Sequence, residues 1–122
     1  MPAKLLVACS SGADHALGVT AAYLAAVAGI DGGRETALWL SADAVRLATE
    51  GYCDQIRAAP GAPAVRDLHA RLTEGGGRLF VCEVSLAALA AAQDAPLVSA
   101  AELATASQVL EWAGDGALSV SF

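Results

Sequence analysis

The sequence has few basic residues, and they are scattered along it. Its 122 residues include seven Lys and Arg against thirteen Asp and Glu, which gives a formal net charge of −6. Proteins that bind phosphate backbones or anionic membrane surfaces use clustered Lys and Arg. We therefore expect neither a nucleic-acid partner nor a membrane partner.

Cysteine is also scarce, and the spacings typical of metal sites are missing. Three cysteines and two histidines occur, a small and odd cysteine count that does not fit a disulfide-stapled secreted fold. No C-x-x-C is present and His15 lies far from His69, whereas a structural metal needs closely spaced ligands. We predict a cytoplasmic protein that uses no metal and no organic cofactor.

The sequence has no long uninterrupted apolar run and no phosphate-binding loop. Its longest apolar stretch, from Ala16 to Ile30, is interrupted by Thr20 and by two glycines. That stretch falls short of the roughly 18–20 apolar residues of a membrane span. Segment 10–12 lacks the additional glycines and the Lys that cradle phosphates. Both absences disfavour membrane-spanning and nucleotide-binding proteins.

Apolar side chains, in contrast, are abundant. Hydrophobic residues make up 56% of the chain and charged residues 16%. A chain of this length forms one domain of ordinary size, and we expect a single domain over residues 1–122. So much apolar side chain exceeds what one small core hides, which favours a homo-oligomer.

Short apolar runs alternate with helix-like segments along the whole chain. The patterns predict strands at 4–9, 36–40, 78–82, 96–98 and 118–122, and helices at 15–28, 41–48, 64–74, 86–90 and 99–112. Segment 52–63 reads as a loop. This alternation predicts a three-layer α/β/α sandwich on a mainly parallel sheet of about five strands, with the first strand at its centre.

The first predicted helix carries two apolar stripes. At helical spacing, two sets of side chains lie on nearly opposite sides: Leu17, Ala21, Leu24 and Ala28, and then Val19, Tyr23 and Val27. One stripe can pack on the sheet. The other needs a further partner, and we expect a neighbouring subunit there.

Two of the three cysteines end predicted strands. Cys9 closes the first strand and Cys82 the third, and the carboxyl ends of parallel strands form the edge where open α/β sheets bind ligands. A helix is predicted to begin just after Cys82, and a helix amino end favours the nucleophilic thiolate. Cys82 is therefore the candidate catalytic residue. The alternative is a small, buried, inert side chain.

The residues around these cysteines are candidate auxiliary groups. Glu83 places a carboxylate beside Cys82, which disfavours the thiolate and leaves the net shift of the thiol pKa open. Ser85 can cap the following helix or donate a hydrogen bond to the sulfur, and Cys9 can act as a resolving thiol. Cys53, beside the predicted loop, either is passive or reaches over the same edge.

An ordered set of features resembles the DsrE/DsrF-like sulfur-relay proteins. These features are the opening run 4–7 with its small polar turn, the Ala-rich first helix, segment 40–48, the strand end 81–82, and the closing segments 101–103 and 120–122. The resemblance implies a Rossmann-like sandwich that assembles as trimers or hexamers. It also implies that Cys82 accepts a sulfane sulfur as a persulfide from a donor and passes it to an acceptor.

The chain departs from this family pattern at two places. Many relatives have a second cysteine where this chain has Ser85, and many have a Lys/Arg-Gly segment where it has residues 87–90, all Ala and Leu. The first departure leaves one cysteine to carry the sulfur. The second removes basic groups that would stabilise a thiolate or attract an anionic donor.

Two functions of different classes remain open. The first is an intracellular sulfur-relay protein that acts as a sulfurtransferase or a persulfide carrier. In it Cys82 is the nucleophile, with Cys9, Glu83 and Ser85 around it. The second is a non-enzymatic oligomeric module of the same fold that binds a small ligand or a protein at this edge, with Cys82 inert.

Overall fold

One sheet of five parallel strands organises the part of the chain described by the computed structural model, residues 2–89 and 95–122. Its strands are β1 (Leu5–Cys9), β2 (Thr36–Leu40), β3 (Arg78–Cys82), β4 (Ala101–Ala104) and β5 (Leu118–Ser121). The order across the sheet is β4-β3-β2-β1-β5, and every pairing is parallel. The predicted parallel sheet is confirmed. The first strand is interior, but β2 is the central one.

Helices cover both faces of this sheet. They are α1 (Ala16–Asp31), α2 (Val65–Glu74), α3 (Glu83–Ala88) and α4 (Ala106–Ala113), and three 3-10 helices span Ala13–His15, Ala42–Ala48 and Tyr52–Gln55. The predicted Rossmann-like α/β sandwich is confirmed. Of the helix expected at 86–90, residue 90 lies outside the described residues.

The larger core lies between the sheet and the pair α1 and α2. Val7, Leu38 and Val81 point into it from three adjacent strands, and each is fully buried. Val65, Leu68 and Leu72 of α2 face inward as predicted. Burial of such side chains stabilises the fold by about 1.5–3 kcal/mol each.

The opposite face has a thinner cover. Its buried residues are Ala37, Phe80, Ala104 and Val109, with Leu6, Trp39 and Trp112 packed beside them. The Trp112 ring of α4 meets Phe80 edge-on, with the two centroids 5.8 Å apart. This small cluster holds α4 on the sheet, together with a 2.7 Å hydrogen bond that Lys4 Nζ donates to the Trp112 carbonyl.

The predictions for α1 were correct in type but wrong in detail. The helix continues through Gly29 to Asp31. A Cβ at Gly29 would lie 2.5 Å from Thr36 Oγ1 and 2.7 Å from Leu5 Cδ2, so glycine here serves close helix–sheet packing and does not end the helix. Asp14 is not the cap, because it lies inside the preceding 3-10 helix.

The two stripes of α1 have opposite surroundings. Val19 and Tyr23 are fully buried against the sheet, whereas Leu17 is 70% exposed and Leu24 46% exposed. The stretch Ala13–Asp31 is long and apolar enough to cross a membrane by length and composition alone. Its buried stripe is the one that a core helix of a soluble α/β domain presents to the sheet.

The segment 96–112 was predicted wrongly. Residues 101–104 form strand β4 and not the start of a helix, and Leu97 makes only an isolated bridge to Thr49. The capping box is formed by Thr105 and Gln108, so the helix starts at Ala106. A helix over 99–112 would place Leu103 and Leu110 on its inward face, but the two side chains are 49% and 69% exposed.

Two further local predictions were wrong. The i,i+4 spacing of Asp67 and Arg71 predicts an ion pair. It does not form, because Arg71 bonds to Asp31 of α1 at 3.0 Å while Asp67 lies near Arg66. The segment read as a loop begins with the 3-10 helix Tyr52–Gln55. That helix points Cys53 into the core, because burying the thiol extends the apolar contact with α1 and α2.

Candidate functional site

Cys82 lies at the junction of two elements. It is the last residue of β3 and the residue that caps the amino end of α3. The chain turns at this point from the sheet into the helix, which brings the backbone N–H groups of Val84 and Ser85 back toward the sulfur. Cys82 is partly exposed, whereas Cys9 and Cys53 are buried. It is thus the cysteine that an outside molecule can reach.

The surroundings of the sulfur favour the thiolate. Partial burial raises the pKa of Cys82, but the nearby Ser85 hydroxyl and the backbone N–H groups of Ser85 and Val84 lower it. The Glu83 carboxylate raises it again, and the net pKa lies below the ordinary value of a thiol. A larger fraction of Cys82 is therefore in the nucleophilic form at neutral pH.

Ser85 links the sulfur to the end of β2. Its Oγ accepts a hydrogen bond from the N–H of Ala42 at 2.9 Å, so its own hydroxyl hydrogen is left to point to Cys82. Ser85 does not cap α3 as predicted, because β3 continues to Cys82 and the helix starts at Glu83. The alternative role that the sequence suggested, a hydrogen bond to the sulfur, stays a prediction.

The residue that holds Ser85 has an unusual backbone. Ala42 has φ +51°, the one positive φ of a non-glycine residue among residues 2–89 and 95–122. Side chains with a Cβ adopt this left-handed region at a cost of about 1 kcal/mol. Such strain persists where the surrounding structure fixes it, here at the carboxyl end of β2 beside the cysteine.

Glu83 and its neighbours form a groove along α3. The groove has a volume of about 350 Å³ and is lined by Glu83, Leu86, Ala87 and Leu103. It lies between α3 and β4, next to the turn that carries Cys82. Glu83 and Ser85, the predicted auxiliary residues, both lie in the first turn of α3, directly after Cys82.

Cys9 lies at the same edge of the sheet but has different surroundings. Its side chain is 1% exposed, and burial raises its pKa although its thiol donates to the Ser11 carbonyl at 3.7 Å. Since β2 separates β1 from β3, the Cα atoms of Cys9 and Cys82 are roughly 10 Å apart at the usual strand spacing, beyond the ~7 Å reach of a disulfide. A direct disulfide between them requires the backbone to move.

A third group of polar side chains was not identified from the sequence. The Tyr23 hydroxyl lies 2.9 Å from His69 Nδ1 and 3.9 Å from Cys53 Sγ, and the Cys53 thiol donates to the Leu47 carbonyl at 3.4 Å. Burial raises the pKa of Cys53 to about 11 and lowers that of His69. Cys53 does not reach over the sheet edge, and the spacing of these residues along the chain gave no signal of their meeting.

Metal-ligating side chains do not converge in the described part of the chain: no three His, Cys, Asp or Glu residues lie close enough there to hold an ion. The chemistry available at Cys82 is that of the thiol itself. Its partners are hydroxyl, amide and carboxylate groups.

Comparison with known proteins agrees with this fold. The solved structure of the YchN protein from E. coli superposes with a TM-score of 0.76 at 16% sequence identity, covering 98% of this chain and 100% of that one. No curated protein matches the sequence. The model of the DsrE/DsrF-like family matches residues 3–122. With a match over nearly its whole length, the chain belongs to the DsrE/DsrF-like family.

Proposed function

We propose that this chain is a sulfur-relay protein in which Cys82 accepts a sulfane sulfur as a persulfide and passes it on. The observation that carries the proposal is a partly exposed thiol at the end of β3, beside the Ser85 hydroxyl and the backbone N–H groups that lower its pKa. A persulfide carrier needs a nucleophilic thiolate with access to its donor. Family membership supports a role of this kind.

The transfer step is an exchange between sulfur atoms. The Cys82 thiolate attacks the outer sulfur of a donor persulfide, R–S–SH, and a new S–S bond forms while the donor's S–S bond breaks. The donor leaves as a thiolate with the electron pair of that bond and takes up a proton. No electrons are gained or lost overall, so the step requires no oxidant.

The neighbouring groups have separate tasks in this step. Ser85 and the N–H groups of Val84 and Ser85 stabilise the negative sulfur before attack and after transfer. The same groups hold the turn after Cys82 in place. The Cys82 sulfur therefore meets the donor persulfide from a fixed direction. Glu83 opposes the negative charge and restrains the reactivity of the thiolate.

We also propose that the protein is a cytoplasmic homo-oligomer that receives sulfur from one molecule and passes it to another. The exposed stripe of α1, with Leu17 and Leu24, and the exposed Leu118 and Val120 of β5 are apolar surfaces that a second copy of the chain would cover. Sedimentation at micromolar concentration tests this part. A strictly monomeric species would contradict it.

Mass spectrometry of the intact protein tests the relay. After incubation with a persulfide donor, we expect a gain of about 32 Da, one sulfur atom by exchange chemistry, that dithiothreitol removes. The gain should be absent in Cys82→Ser and present in the matched Cys53→Ser. No gain with several donors would contradict the relay and favour a ligand-binding module with an inert Cys82.

A further inference from the structure

The groove beside Cys82 has the size and lining of a small-molecule site. Of the four lining residues that the structure describes, Leu86, Ala87 and Leu103 are apolar, and the volume of the groove is about 350 Å³. Pockets for small molecules span roughly 300–1,000 Å³ and are mostly apolar. The groove therefore suits the organic part of a compact molecule whose sulfur lies at Cys82.

The groove next to Cys82 carries a negative charge, and no other described residue of its lining carries a positive one. Glu83 is the charged residue of the lining, and its carboxylate acts electrostatically on the Cys82 sulfur. Five of the seven basic residues lie in ion pairs elsewhere: Lys4, Arg46, Arg66, Arg71 and Arg78. An anion that approaches the sulfur meets a like charge and, among the described lining residues, no cation.

We propose that the sulfur donor of Cys82 is a small organic persulfide whose organic part is apolar or cationic and carries no negative group. This inference rests on the proposed relay function. The organic part lies in the groove against Leu86 and Leu103, and the outer sulfur meets the Cys82 thiolate. Inorganic anions such as thiosulfate and multiply anionic thiols are poor donors, because their charge approaches Glu83.

Methanethiosulfonate reagents of three charges measure this selectivity without any relay chemistry. A trimethylammonioethyl, a sulfonatoethyl and a neutral methyl reagent each transfer an alkylthio group to Cys82: a new S–S bond forms, the S–SO2 bond of the reagent breaks, and methanesulfinate leaves. Their rates are followed by intact mass and divided by their rates with 2-mercaptoethanol. We expect the cationic reagent to exceed the anionic one by about fivefold or more at low salt, as one nearby unit charge produces in water.

Three variants separate the groove from general surface charge. Glu83→Gln should bring the cationic-to-anionic ratio close to that of free thiol, and Ala87→Lys should reverse it. The matched control Glu74→Gln removes one exposed carboxylate at the end of α2. This residue lies near the amino end of β3, opposite to the end that carries Cys82, so the ratio should not change. An equal effect of Glu83→Gln and Glu74→Gln would overturn the inference.

Persulfide donors then complete the test. Cysteamine persulfide should load Cys82 faster than glutathione persulfide, and Glu83→Gln should narrow the difference. If both load the wild type equally, the relay stands and the donor class is overturned. If neither loads it while the methanethiosulfonate ratio holds, the relay is overturned and the donor class with it.

Discussion

Cys82 and Cys53 are the same side chain in two opposite settings. Cys82 ends a strand at the sheet edge, with three donors that lower its pKa. Cys53 lies in the core beside Tyr23 and His69, and burial raises its pKa to about 11. The reactivity of a thiol in this fold is therefore set by the donors and the solvent that reach it and not by its presence in the sequence.

Alkylation should give the largest contrast between the two sites. At neutral pH we expect Cys82 to react with iodoacetamide at least about 100-fold faster than Cys53, because Cys53 is both protonated and sealed from solvent. Peptide mapping after timed quenching measures both rates in one sample. Comparable rates for the two cysteines would remove the basis of the contrast.

Ser85→Ala should weaken the Cys82 side of the comparison. The variant loses the hydroxyl donor to the sulfur and leaves the Ala42 N–H without its partner. We expect the pKa of Cys82 to rise and its alkylation rate at pH 7 to fall by roughly 3- to 10-fold, about one neutral hydrogen bond. The pH profile of the rate distinguishes a changed pKa from unfolding, and Ser85→Thr should retain most of the rate.

Tyr23→Phe should alter the Cys53 side alone. Removing the hydroxyl abolishes the 2.9 Å hydrogen bond between Tyr23 and His69 Nδ1 and leaves that nitrogen without its partner, at a cost of about 1–3 kcal/mol in the free energy of unfolding. Urea denaturation measures the loss. The alkylation rate of Cys82 should stay within about twofold of wild type, and a larger change would show that the two sites are coupled.

Acid should also act on the buried site. Burial lowers the pKa of His69 in the folded state below its unfolded value, so the folded state resists protonation. Stability is full above the unfolded pKa of about 6.5 and declines as the pH falls from there toward the lower folded pKa. Thermal denaturation between pH 7.5 and 5 should show a smaller decline in His69→Gln, and an equal decline would contradict this origin.

The smallest expected effect is at Ala42. Ala42→Gly removes the Cβ that opposes φ +51° and keeps the N–H that binds Ser85. Relief of strain and the greater freedom of the unfolded glycine oppose one another, so the free energy of unfolding should change by no more than about 1 kcal/mol. The alkylation rate of Cys82 should not change. A fall in that rate would indicate that the strained backbone holds Ser85 in place.

The strands that position the site could be predicted because their patterns are local. β2 and β3 have the predicted bounds, 36–40 and 78–82, since most residues of each strand are apolar and buried. Strand β4 could not be predicted in this way. Its four residues include Glu102, whose bidentate contact with Arg78 of β3 is a tertiary interaction that no spacing along the chain shows.

The site divides in the same manner. The position of Cys82 followed from its place at a strand end, and the pattern also placed Glu83 and Ser85 next to it. The sign of the pKa shift did not follow, because it depends on where the chain turns after Cys82 and on the contact between Ser85 and Ala42. The Tyr23, His69 and Cys53 cluster joins residues from three separate elements, and only the packed fold shows it.

The position of Cys82 at the junction of β3 and α3 has a consequence for insertions into the chain. Side chains alternate between the two faces of a strand, so one residue inserted within β3 would turn the sulfur to the opposite face and unpair it from its donors. One residue inserted in the exposed turn before β3 would leave the strand register intact. An insertion in the turn directly before Arg78 should therefore leave the position of the Cys82 sulfur unchanged. An insertion between Arg78 and Ser85 should displace it.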